Sequence, residues 1–217
     1  AEGDELLSVI KSTTDQHVLV SSSNGQSIRF SGTEVRQMGR KTKGVRSMKL
    51  RQNDTIAGVT VVDNDTELLL LTVTSRGYGK RTPLSAYRVQ SRGGYGVIDI
   101  QTGERNGTVV GTVLVEETDR IMFITESGQV IKIPVLNIRE QNRNTKGVRL
   151  MRVPEDDKIV GIVKVSALDD EEDSENSDVL TDGDDSPESQ SEEVVADVAE
   201  QAPEPTEDES GSQNPDN

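Results

Sequence analysis

Four positive charges fall within eight residues at 39–46, GRKTKGVR, and the last five letters return unchanged at 145–149 within NRNTKGVR (142–149). Lysine and arginine grouped around a glycine turn are the chemistry of phosphate contact. Exposed backbone N–H groups and cationic side chains together hold a charged backbone without reading base sequence. The glycine suits a positive φ that valine or arginine would resist. The candidate contacts are Arg40, Lys41, Lys43 and Arg46 in the first turn and Arg143, Lys146 and Arg149 in the last. Between them lies QSRGGYG (90–96), where two adjacent glycines let a backbone approach closely and Arg92 supplies charge, with Lys80, Arg81 and Arg88 just upstream. Any one of these turns could simply carry solvated charges. Recurrence at a fixed period instead predicts that they line one rim, a track for a bent duplex. Bending a site of ~20–30 bp by 40–90° costs roughly 1–6 kcal/mol, and neutralising ~6 phosphates gives a log–log salt slope of about −5.

Other chemistry finds little to stand on. The chain has no cysteine and one histidine, His17, so thiolate nucleophiles and histidine-based metal sites are excluded; His17 opens an expected strand and reads as packing or solvent-facing. Glu155, Asp156 and Asp157 read as an acidic loop, and there is no Gly-x-x-x-x-Gly-Lys-Ser/Thr phosphate loop. No catalytic residue, metal site or cofactor is assigned to this chain.

The net charge of −15 hides two unlike parts: residues 166–217 hold 20 of the 39 acidic residues and none of the 24 basic ones. The front part, 1–165, is therefore net basic and long enough to bury a core. Residues 166–217 read as a disordered acidic tail, too poor in apolar side chains to offset chain entropy. Tethered beside a basic array, such a tail could compete with DNA at high effective concentration, or serve only solubility. The absence of cysteine fits a reducing, cytoplasmic compartment. No apolar run approaches the ~20 residues needed to span a bilayer, and no signal peptide is visible. The first residues, Ala-Glu-Gly-Asp-Glu, suggest a processed product or a piece of something longer.

The elements that must position the turns repeat three times. Hairpin glycines stand at Gly25, Gly77 and Gly128, turn glycines at Gly44, Gly96 and Gly147, and closing-strand glycines at Gly58, Gly111 and Gly161, with spacings of 52 and 51, 52 and 51, and 53 and 50. HVLVSSSNGQSIRF (17–30) places two apolar or β-branched runs around Asn-Gly, a strong hairpin signal, and ELLLLTVTSRGYGKRTP (67–83) and RIMFITESGQVIKIP (120–134) repeat it. No helical period runs through these segments. Four short strands per ~50-residue unit predict an all-β, propeller-like array with three blades at about 1–62, 63–115 and 116–165, each leaning on its neighbour.

Those segments, and above all RGYGKRTPLSAYRVQSRGGYGVIDIQTGERNGTVVG (76–111), VRQMGRKTKGVRSMKL (35–50) and NRNTKGVRLMRV (142–153), resemble the C-terminal β-pinwheel family found in the A-type chains of DNA gyrase. The likeness covers 1–165, with the tail matching in character. It implies a pinwheel of five or six blades that wraps DNA with fixed handedness, of which this chain holds the last three and the tail. The partners it implies are double-stranded DNA, the B-type chain of gyrase and a second A-type chain, within an ATP-dependent type II topoisomerase. The strand-cleaving tyrosine, ATP and Mg would lie elsewhere in that enzyme, so Tyr78, Tyr87 and Tyr95 take no cleavage role and the fragment has no turnover alone. The family's box, Gln-Arg-Arg-Gly-Gly-Lys-Gly, has a degenerate counterpart at 90–96, where Ser91 and Tyr95 replace basic residues. Two alternatives stay open. One is the related C-terminal region of the A-type chain of topoisomerase IV. The other is a propeller used as a protein-interaction platform, which would call for more surface aromatics than two Phe and three Tyr.

Overall fold

The computed structural model describes residues 5–63 and 67–166. They belong to one unit, Ala1–Val179; the second unit, Leu180–Asn217, and with it almost all of the expected disordered tail, falls outside the described residues.

In the first repeat β1 (His17–Ser22) and β2 (Gln26–Ser31) form the Asn-Gly hairpin, and β3 (Ile56–Val62) pairs antiparallel to β1 on its other side. The second follows the same plan with β4 (Leu69–Thr74), β5 (Tyr78–Pro83), a two-residue β6 (Val97–Ile98) and β7 (Val109–Val115). The third has β8 (Arg120–Thr125), β9 (Val130–Pro134), β10 (Val148–Arg149) and β11 (Ile159–Val165). A single-turn 3-10 helix follows each hairpin, at Gly32–Glu34, Leu84–Ala86 and Val135–Asn137.

The sheets are not built repeat by repeat. Their orders are β3-β1-β2-β6, β10-β5-β4-β7 and β11-β8-β9. Each repeat supplies three strands to its own sheet. The turns of the second and third run on into a short strand that completes the sheet of the repeat before. The sequence predicts four-stranded sheets; the fourth strand is in fact borrowed. The physical reason lies in the turn glycines. Gly96 and Gly147 have φ of +75° and +74°, and a Cβ on either would stand 2.3 Å from the Ser27 carbonyl or 2.8 Å from the Gly79 carbonyl. Only a residue without a side chain lets the incoming strand close on its acceptor there. The closing-strand glycines have a related use: a Cβ on Gly58 would meet Thr112 Oγ1 at 2.6 Å, so β3 and β7 of adjacent blades pack backbone to side chain.

The core follows this exchange. One cluster, with Leu71, Val73, Val115, Ile121, Phe123, Ile138 and Met151, fills the seam between the second and third repeats. Another, with Leu19, Val62, Leu70, Leu84 and Tyr87, fills the seam between the first and second. Burying each large apolar side chain is worth roughly 1.5–3 kcal/mol, so much of the stabilisation is shared between neighbours.

Candidate nucleic-acid interface

Hydrogen bonds tie the three turns into a row. The first and second meet where Lys49 N–H donates to the Gly94 carbonyl (2.8 Å) and Gly93 N–H donates to the Ser47 carbonyl (2.7 Å). The second and third meet at a parallel bridge between Ile100 and Thr145, where Gln101 N–H donates to the Thr145 carbonyl (2.8 Å).

Arginine at one repeat position reinforces each junction. Arg92 Nη1 donates to the Arg46 carbonyl at 2.6 Å, and Arg143 Nη1 donates to the Ile98 carbonyl at 2.8 Å. Both are half-buried clamps between consecutive repeats. Arg40 occupies the same repeat position in the first and is exposed. A guanidinium has five N–H donors, so a clamp spends only part of its capacity. Lys41, Lys43, Arg46, Arg88, Lys146 and Arg149 are exposed as well.

Lys80 and Arg81 depart from the sequence-based expectation. Lys80 has no exposed surface. Its ammonium donates to the carbonyls of Asp99 and Asn142 at 2.7 Å and to that of Arg143, and sits 4.0 Å from the Asp99 carboxylate. Burial, against the opposing pull of Asp99, lowers its pKa to about 8. Asp99 is itself buried and accepts from Tyr87 Oη (2.6 Å) and Thr72 Oγ1 (2.8 Å); burial raises its pKa. Arg81, 6% exposed, donates from Nε to the Ile138 carbonyl and reaches Glu117 at 3.3 Å. Both cations therefore join repeats and are turned away from any surface ligand.

Sequence reasoning passed over Lys49 and Arg51. Tyr95, at the repeat position of Lys43 and Lys146, lies under both, with Lys49 Nζ 4.8 Å and the Arg51 guanidinium 5.6 Å from its ring centroid. The second turn thus regains by cation–π contact the charge that a tyrosine removes. Aligning the repeats would have exposed this, since Lys49 stands in register with Arg152.

The remaining candidates have structural roles. His17 Nδ1 accepts from Arg29 Nε at 3.1 Å, and burial lowers its pKa. Asp157 caps the third hairpin, accepting from Ser127 Oγ (2.7 Å) and N–H (3.2 Å), as Asp54 caps the first through Ser23 and Asn24. Among the described residues no group of three or more His, Asp or Glu side chains could hold a metal, and no helix is long and apolar enough to cross a membrane.

The profile of the family described as DNA gyrase C-terminal domain, beta-propeller, matches residues 16–63, 69–116 and 119–166. The A-type chain of DNA gyrase from Mycolicibacterium smegmatis is 41% identical over 165 residues, which are 75% of this chain and 19% of that protein's length. A solved structure of the DNA gyrase A C-terminal domain matches with a TM-score of 0.64 at 28% identity, over 69% of this chain and 50% of that one. The crystal structure of the C-terminal domain of DNA topoisomerase IV matches at a TM-score of 0.67 and 22% identity, over 76% and 52%, and shares the fold. Three matched repeats spanning the described blades settle the affiliation: the chain belongs to the DNA gyrase C-terminal β-propeller family.

Proposed function

We propose that this chain is a DNA-binding and DNA-wrapping module of a gyrase A-type chain, acting within an ATP-dependent type II topoisomerase. The observation that carries the reading is the row of three turns, joined by backbone and arginine hydrogen bonds, with exposed cations at Arg40, Lys41, Lys43, Arg46, Arg88, Lys146 and Arg149. Cations held at a fixed period by the fold favour one path for a duplex, and they contact phosphate, so binding is insensitive to sequence. Bending is sustained by the electrostatic gain and weakens as salt rises.

In this reading the chain turns over no substrate itself. The B-type chain of gyrase and a second A-type chain are its partners in the assembled enzyme, ATP and Mg are bound there and not here, and the setting is the cytoplasm. A topoisomerase IV module would share the fold, and the 41% identity to a gyrase chain favours gyrase.

The test is topological. Closed circular DNA is relaxed with the chain bound and then deproteinised. A shift in linking number that scales with bound protein supports wrapping. Binding with no shift refutes wrapping and leaves contact alone, and absence of binding at low salt refutes the whole reading.

A further inference from the structure

At the seam between the second and third repeats lies a notch of about 600 Å³ with Arg76, Tyr78, Arg105, Arg149 and Arg152 in its lining. It does not follow the repeat. Tyr78 pairs with Arg149 across β5 and β10, but the matching pair in the blade before is Gln26 with Ile98. The cluster is therefore a feature of this seam and is not repeated at the seam before.

The notch is built. Arg149 Nη2 (2.9 Å) and Arg105 Nε (3.4 Å) both donate to Tyr78 Oη, and the two guanidinium groups lie near the ring, 5.4 and 5.0 Å from its centroid. Arg105 rides on a loop tethered by Asn106, which is 1% exposed and donates to the carbonyls of Gln101 (2.7 Å) and Lys146 (3.2 Å). Arg76, also in the lining, is fixed by donating to the carbonyls of Pro154, Glu155 and Asp157. Arg152 makes no hydrogen bond or ion pair among the described residues. Glu104 and Glu155 also line the space, leaving an excess of two positive charges over the four arginines and two glutamates.

With the tyrosine oxygen accepting from two arginines, its own proton remains available as a donor. Arg105 and Arg149 both line this space, and each guanidinium has further N–H groups beyond its bond to the tyrosine. Convergent donors on planar, pre-oriented guanidinium groups match a tetrahedral oxyanion. We propose that this notch is a clamp for one backbone phosphate of duplex DNA. The choice of source rests on the function proposed above: Arg149 follows Lys146 by three residues on the strand leaving the third turn, so a duplex lying on that turn passes the notch.

The experiment measures duplex affinity of the full chain against salt for wild type, Arg105→Ala, Arg149→Ala and Arg149→Lys, with thermal unfolding as the folding check. One lost phosphate contact lowers the slope by about 0.9 and the affinity about eightfold at 0.1 M salt. Arg149→Lys keeps the charge but loses the planar fork, so the clamp predicts a loss near that of alanine. Lysine at 149 behaving as wild type, or a folded Arg105→Ala variant with unchanged slope, overturns the clamp while leaving the ledge standing. A parallel arm titrates inorganic phosphate and follows the Arg105 and Arg149 side-chain NMR signals. Phosphate-induced shifts with duplex affinity unmoved by the variants identify a free-anion site and also overturn it. If wild type binds no duplex at all, the ledge and the clamp fall together.

Discussion

Replacing Lys80 with methionine keeps the apolar stem and removes the ammonium that three carbonyls and Asp99 surround. The carbonyls of Asn142 and Arg143 belong to the third basic turn, so the lost bonds are among those that seat that turn on the second blade. Deleting one partner of a buried pair costs about 3–5 kcal/mol, because the other charge stays buried without compensation. Against a total stability of about 5–15 kcal/mol, that is a large fraction. With a urea m-value of about 2 kcal/mol/M, a loss of about 4 kcal/mol moves the unfolding midpoint down by about 2 M. Asp99→Asn in the Lys80→Met background should recover part of the loss, giving a favourable coupling in the double-mutant cycle. The assay is urea unfolding followed by circular dichroism, with duplex affinity against salt measured on the folded protein. A midpoint that barely moves, together with a salt slope falling by about 0.9, would return Lys80 to the surface as a phosphate contact and refute the burial argument.

Gly147→Ala should cost more than Gly44→Ala in thermal or urea unfolding. Both glycines have positive φ, +74° and +77°, which costs an alanine about 1–2 kcal/mol, but only the first would also drive a Cβ into the Gly79 carbonyl. Equal losses would mean that strand exchange places no demand on the turn. The Asp157 carboxyl is held at a pKa of about 2, below its ordinary 3.8, chiefly by Ser127. That depression contributes stability above about pH 4 and loses it as pH falls toward 2, so Ser127→Ala should raise the acid-unfolding midpoint and narrow the stability difference between about pH 5 and about pH 2.5. Removing residues 166–217 deletes 20 acidic side chains; tighter duplex binding at low salt is expected if they compete with DNA, and unchanged affinity discards that idea.

The sequence alone determined the period, the hairpins and the position of every basic turn. Asn-Gly, Arg-Gly and Ser-Gly hairpins are local, because a turn needs only its own residues to reach positive φ. The even spacing of Gly44, Gly96 and Gly147 marked the turns for the same reason. Only the tertiary structure decided which cations remain outside. Lys80 and Lys43 are alike as letters in a basic stretch. One is sealed by a turn that enters 62 residues later at Asn142, and the other meets no such neighbour. Strand exchange also turned Arg92 and Arg143 into half-buried clamps and brought Arg105 to Tyr78 and Arg149. Burial and charge pairing depend on which distant segment covers a side chain, and a one-dimensional pattern carries no record of that.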